Sequence, residues 1–175
     1  ILEKWTNKKE IKWKVVATGT SCKYWSKAKV NYKIFKNYSS TKVLDYINLV
    51  KPDIIITSAS LNVDLEHIFI LEAKKKSIPT ASFVDTWVNY LKRFKYKDEL
   101  IFPDKVLAID ERCKNEMIED GIPEHIIEVI GQPYLEKIKT NIPKLGSKIL
   151  LVGQPIQKYF GNSLGFNEED FRNIC

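Results

Sequence analysis

Short β-branched apolar runs, each ended by a small or acidic residue, alternate along this chain with stretches whose apolar positions recur at helical spacing. Asp53-Ile54-Ile55-Ile56-Thr57-Ser58 is the plainest of these runs. An unbroken apolar run without polar alternation is what a strand covered on both faces requires. Further strands are expected at Lys14 to Gly19, Lys33 to Phe35, Pro79 to Val84, Lys105 to Ile109, Ile126 to Ile130 and Lys148 to Val152. Helices are expected over Thr41 to Val50, Asp64 to Lys76, Thr86 to Phe94 and Glu111 to Asp120, with a short helical piece at Tyr134 to Lys139. Lys51-Pro52 closes the first of these helices, because proline disfavours the helical conformation in the residue before it. Gly121 closes the fourth as a left-handed C-terminal residue. Strands alternating with helices predict an α/β fold: a doubly wound, mostly parallel, Rossmann-like sheet in a three-layer α/β/α arrangement.

Two of the runs end in the same three letters. Ile126 to Ile130 leads into Gly131-Gln132-Pro133, and Ile149 to Val152 leads into Gly153-Gln154-Pro155. The segment between them, Asn141 to Ser147, carries Pro143 and Gly146 and reads as a linker. The expected organisation is therefore a Rossmann-like domain over 1–140, a linker over 141–147, and the start of a second Rossmann-like domain over 148–175. Ile1 to Trp5 reads as the end of a helix and Phe166 to Cys175 as the beginning of one. Both observations predict a piece of a longer protein whose opening strand lies upstream.

Composition narrows the function classes. At 175 residues, 44% hydrophobic and 29% charged, the chain has ordinary globular composition, which disfavours disorder. Its apolar runs are far shorter than a membrane-spanning helix needs, and no secretory signal opens it. The net charge of +6 comes almost wholly from lysine. It is compatible with an anionic partner or with a solvated lysine-rich surface, and no basic tract interleaved with exposed aromatics is evident. Cys22, Cys113 and Cys175 are far apart, and the only histidines are His67 and His125. That pattern indicates neither a disulfide framework nor a metal site, and fits a reducing, cytoplasmic setting. Both histidines read as structural.

In open α/β sheets, ligands bind just beyond the carboxyl ends of the strands. The residues expected there are Gly19-Thr20-Ser21, Ser58-Ala59-Ser60, Asp85-Thr86, Asp110-Glu111, Gly131-Gln132 and Gly153-Gln154. Small hydroxyls and exposed N–H groups can hold phosphate or sugar oxygens, and a carboxylate can serve as general base. The same residues can instead be simple helix caps. Asp85 follows five mostly apolar residues, so a partly desolvated carboxylate is expected. After it come Trp87, Asn89, Tyr90, Arg93 and Phe94, which combine flat faces for a sugar with an amide and a cation. The competing reading is an amphipathic helix whose aromatics are core and whose Arg93 bridges Asp85 or Asp110. No GxxxxGK[ST], GxGxxG or GxSxG motif is present, and no Asp-x-Asp follows a strand.

The succession Lys51-Pro52-Asp53, Ile78-Pro79-Thr80, Asp85-Thr86-Trp87, Pro103-Asp104, Asp110-Glu111, Gly121-Ile122-Pro123 and Gly131-Gln132-Pro133 resembles the N-terminal domain of GT-B-type glycosyltransferases. Within them it looks most like surface-carbohydrate biosynthesis proteins, and more distantly like UDP-N-acetylglucosamine 2-epimerases. The similarity runs over residues 14–168. It is most specific in Asp85-x-Trp87-x-Asn89-Tyr90-x-x-Arg93-Phe94 and Gly131-Gln132-Pro133-Tyr134. Val152 to Pro155, with Leu164 to Glu168, resembles the opening of the second Rossmann-like domain.

The resemblance implies the acceptor-side domain of a metal-independent transferase that uses a nucleotide sugar in surface polysaccharide assembly. Asp85 or Asp110 would be the base. Arg93, with N–H groups after Gly131 or Gly153, would steady the departing diphosphate. Ser58, Ser60, Trp87, Asn89, Tyr90, Gln132 and Gln154 would contact substrate. No cofactor is implied. The implied partners are a nucleotide sugar, a carbohydrate acceptor and a C-terminal domain, with peripheral association at the inner face of the membrane and no specific nucleic acid. Two other functions stay open: a sugar-nucleotide epimerase, and a non-catalytic module whose basic surface binds nucleic acid or anionic membrane.

Overall fold

The computed structural model describes residues 11–61, 63–132 and 135. The chain divides into two units, Ile1–Ile138 and Lys139–Cys175, and every described residue belongs to the first. The expected linker, the strand Lys148 to Val152, and the sites Gly153 and Gln154 lie outside the described residues.

A parallel four-stranded sheet forms the centre, with β3 (Ile55–Thr57), β4 (Thr80–Phe83), β7 (Lys105–Ala108) and β8 (Ile127–Val129) side by side in that order. The expected α/β class with a parallel, Rossmann-like sheet is therefore present. Thr57, Ser82, Val106 and Ile127 stand in register across it. A second parallel pair, β1 (Val15–Ala17) with β2 (Tyr32–Ile34), is separate in hydrogen bonding. The two sheets nevertheless share a core. Val16 and Phe35 pack with Val43 and Ile47 of helix α2 (Ser40–Val50), Leu65, Ile68 and Phe69 of helix α3 (Asp64–Lys75), and Ile55. Helix α4 (Glu111–Glu119) buries Cys113 and Met117 against Val106, Ala108 and Ile127 in a second cluster. Ile55, Val106 and Ile127 share one sheet face by register and alternation, so α3 and α4 cover that face. Helix α1 (Ser21–Lys27) packs on β1 and β2, tied by the Ser26 and Tyr32 hydroxyls at 2.7 Å.

Local chemistry accounts for the helices. Ser39 caps α2 by accepting from the Lys42 N–H, and Lys51 at φ +49° ends it in a left-handed turn. Helix α3 starts with Asp64 and Glu66 and ends with Lys74 and Lys75, the charge order the helix dipole favours. Gly121 follows α4 at φ +101°, where a side chain would be strained. The Asp104 carboxylate takes both the N–H and the hydroxyl of buried Thr80 at 2.7 Å. The Thr80 hydroxyl chiefly holds that carboxyl below its ordinary range.

Two expectations are corrected. The run around Ile55 is not covered on both faces: Ile55 packs on the core, but Ile54 and Ile56, which alternate with it, are 52% and 42% exposed on the opposite face. Thr86 to Phe94 is not a helix. Only a 3-10 turn, Leu91–Phe94, forms there, after Asn89 takes a left-handed φ of +59°. The helix α1 and the antiparallel hairpin β5 (Lys95–Tyr96) with β6 (Glu99–Leu100) were not expected at all.

Candidate functional site

The carboxyl ends of the four parallel strands carry Ser58-Ala59-Ser60, Asp85, Asp110 and Gly131-Gln132, and side chains stitch these loops together. Arg93 is the main fastener. It is buried, and it donates from Nε to the Val88 carbonyl at 3.3 Å, from Nη1 to the Ala59 carbonyl at 2.9 Å, and from Nη2 to the Thr86 hydroxyl. Its Nη1 also stands 3.8 Å from Asp85 Oδ1. The Trp87 indole N–H donates to Asp110 Oδ2 at 2.8 Å, joining the β4 loop to the β7 loop. The Gln132 amide donates to the Asp85 carbonyl at 3.2 Å, joining the β8 loop as well. Asp85, Trp87, Asp110 and Gln132 thus meet on one rim, as the parallel reading of the strands requires.

Within that rim the expected roles separate. The Asp85 side chain is 60% exposed, so the desolvation expected from its apolar neighbours is absent: the strand ends before it and solvent reaches the carboxylate. Asp110 is an N-cap, accepting the Cys113 N–H at 2.7 Å in addition to the indole. The Cys113 N–H, then the Trp87 indole, hold its carboxyl below the ordinary range. A carboxylate with both oxygens engaged is a weak base, so the cap reading suits Asp110 better than the catalytic one. Arg93, read as a cation for a departing diphosphate, has its donors committed to loop oxygens and is shielded from solvent. That placement matches the alternative in which Arg93 bridges to Asp85.

Ser58 and Ser60 are also engaged. Both hydroxyls and the Ser60 N–H donate to the Glu66 carboxylate from the first turn of α3. An anionic ligand at the end of β3 would face that carboxylate, so these serines do not form a phosphate cradle. Gly19-Thr20-Ser21 ends β1 in the separate pair, where the Ser21 hydroxyl bonds back to the Thr18 carbonyl at 2.7 Å. His67 is buried, receives or donates a hydrogen bond at the Arg93 carbonyl, 2.9 Å away, and stacks on Tyr96. Among the described residues no three His, Cys, Asp or Glu side chains are grouped to hold a metal ion.

Beside the rim lies an open groove of about 720 Å³. Trp87, Asn89 and Tyr90 line it with Lys92, Lys95 and Leu100, but Phe94 belongs to the core. Glu116, Glu119 and Asp120 of α4 and its C-terminus line it as well, which the sequence reading did not single out. Their spacing is the missed signal, since positions three and four apart share a helix face. Tyr90 donates its hydroxyl to Glu116, which also pairs with Arg112 at 2.7 Å. Burial and that acidic partner push the Tyr90 phenol well above its ordinary range, so it stays a donor throughout the accessible pH range. Trp87 belongs to both rim and groove.

The Asp110 cap gives a pH signature. Its carboxyl is depressed in the folded state and ordinary in the unfolded state. The stability it contributes is therefore fully present above the ordinary carboxylate range and is lost as pH falls through the depressed value. Asp110→Ala should lower the melting temperature at neutral pH by roughly 5 °C. The gap between variant and parent should close on acidification, as thermal melts from neutral to acid pH would record.

Compared with known proteins, the chain matches no family model, no curated protein and no solved structure.

Proposed function

We propose that the chain is the acceptor-side domain of a GT-B-type glycosyltransferase that uses a nucleotide sugar in surface polysaccharide assembly, in the cytoplasm. The observation that carries this reading is a solvent-open carboxylate, Asp85, on the same sheet rim as Trp87, which also lines a groove holding an amide, carboxylates and two lysines. Aromatic faces together with amide and carboxylate oxygens are the chemistry that holds a sugar. In the transfer, the acceptor oxygen bonds to the anomeric carbon of the donor. The bond from that carbon to the diphosphate breaks, its electron pair leaves on the phosphate, and Asp85 takes the acceptor's proton. Gln132, bonded to the Asp85 carbonyl, and the Arg93 fastener hold the loop that carries the base.

Acceptor oligosaccharides titrated against the protein, followed by tryptophan fluorescence and calorimetry, test the site. Trp87→Ala should weaken acceptor binding about tenfold, the scale of one lost aromatic stacking contact. Undiminished affinity would remove the groove from the reading. Incubation with sugar nucleotides should give product only when acceptor is present; an epimerised donor formed without acceptor would favour the epimerase instead.

A further inference from the structure

We infer that the lobe formed by β1, α1 and β2 binds an acidic glycan, a polysaccharide whose sugar rings carry carboxylates. On the transferase reading, on which this identification rests, that glycan is the acceptor chain. Charge in the described residues is sharply partitioned. From Ile11 to Leu44 the sequence holds eight lysines, no arginine and no carboxylate, whereas from Pro52 to Gln132 carboxylates outnumber lysine and arginine together. All eight lysines are exposed, and none pairs with a carboxylate among the described residues. A solvated surface normally intersperses both signs. Like charges gathered without counter-charges repel one another and sustain a local potential that an anionic partner relieves.

The same lobe presents aromatic rings. Helix α1 buries none of its residues. Lys23 and Lys27 lie one turn apart on one face of it, and Tyr24 beside them is 62% exposed. Tyr24 stands edge-on to half-buried Trp25, with ring centroids 5.3 Å apart and planes at 82°. Half-buried Tyr32 of β2 is fixed through its hydroxyl to Ser26 of α1 at 2.7 Å. Rings already held by protein contacts lose little freedom when a ligand lies on them. A flat ring flanked by ammonium groups matches a uronic acid, whose C–H face is apolar and whose edge carries a carboxylate. The sequence alone showed no basic tract interleaved with exposed aromatics; the fold supplies one by turning Tyr24 outward.

This chemistry favours an acidic glycan over a nucleic acid. Base recognition draws on arginine, whose planar fork makes paired contacts and stacks on bases, and this lobe has none. Lysine is a point charge on a flexible stem, suited to a pliable polyanion whose carboxylates present no fixed geometry to be matched. One exposed ion pair contributes little, so affinity comes from repetition of the charge along the polymer together with ring contact. The groove beside Trp87 lacks this bias, because its two lysines are set against three carboxylates.

The test is biolayer interferometry of the full chain on immobilised polygalacturonate, neutral dextran and single-stranded DNA. Binding to polygalacturonate is expected to exceed binding to dextran and DNA, and to fall as salt rises. The variant Lys23→Gln, Lys27→Gln should bind polygalacturonate about tenfold more weakly, since each exposed ion pair is worth up to about a fivefold change. That difference should shrink at high salt. Tyr24→Ala should weaken binding about fivefold, and this loss should persist at high salt, because ring contact is not screened. Such persistence separates recognition of sugar rings from unspecific attraction of charge. All three side chains are exposed, and far-UV circular dichroism would verify that the variants fold. Equal binding to polygalacturonate and dextran, parental affinity in either variant, or tighter binding to DNA would each overturn the proposal. These outcomes are read at the lobe, whereas Trp87→Ala is read at the groove, so this inference and the transferase reading can fail separately.

Discussion

Arg93→Ala should lower stability by about 3 kcal/mol, and the melting temperature by roughly 10 °C, more than any other single substitution at the rim. The guanidinium donates to the Ala59 and Val88 carbonyls and to the Thr86 hydroxyl, and those acceptors belong to two different loops. Removing it leaves a hole among buried groups and strands the Ala59 carbonyl, in a residue only 3% exposed, without its donor. Ala59 itself sits at φ +46°, a left-handed conformation that costs a non-glycine residue free energy and persists only where surrounding contacts enforce it. Loss of Arg93 therefore releases the β3 loop as well as the β4 loop. Arg93→Lys should recover less than half of the loss, because a single ammonium cannot reach acceptors arranged for a planar fork. Chemical denaturation of the three proteins measures this directly. Wild-type stability in Arg93→Ala would mean that the guanidinium is free for ligand rather than committed to the fold.

That clamp also explains which parts of the fold were legible in the sequence. Helix α3 was plain, since Leu65 and Ile68 recur at helical spacing between an acidic start and a lysine end, all of it local information. Strands β4, β7 and β8 and the stop at Gly121 were plain for the same reason. The stretch from Thr86 to Phe94 looked helical because its aromatics are spaced like a buried stripe. What decides its path is long-range: Arg93 pulls in the Ala59 carbonyl from another strand's loop, and Trp87 reaches Asp110. The hairpin that follows was hidden because its turn, Lys97-Asp98, has φ of +47° and +65° without the glycine that usually marks such turns. Helix α1 has no apolar periodicity to detect, since it buries nothing. The run at Ile55 announced a strand but not its open face, because coverage is set by which neighbours arrive, not by the strand's own residues.

The candidate site divided along the same line. That Asp85, Asp110 and Gln132 share a rim followed from parallel strands alone. Which carboxylate is open to solvent did not follow, because it depends on what the neighbouring loops donate. Asp110 receives an N–H from its own helix and another from Trp87, while Asp85 receives only the distant Arg93 edge. Likewise the serines after β3 could be read as ligand donors only while Glu66, six and eight residues further on, was not seen folding back onto them.

On the proposed glycosyltransferase reading, Asp85→Asn should lower turnover of the full-length enzyme by about 10² to 10⁴-fold, the range for removing a positioned general base, with little change in acceptor KM and none in melting temperature. The amide keeps the size of the carboxylate and cannot take a proton. Arg93 retains its three oxygen acceptors in this variant, so the clamp holds and a fall in rate reports chemistry rather than unfolding. Asp110→Asn supplies the contrast. It preserves an oxygen for the Cys113 N–H, so the helix keeps a cap, and turnover should stay within a few-fold of the parent. If the two variants exchanged these outcomes, the base would be the carboxylate that the geometry assigns to capping. Near-normal turnover in both would take the base off this rim altogether. The solvent-open carboxylate makes the first outcome the expected one: a base has to meet the incoming hydroxyl before it can accept a proton, and among the two rim aspartates only Asp85 has an oxygen not already held by the protein's own N–H groups.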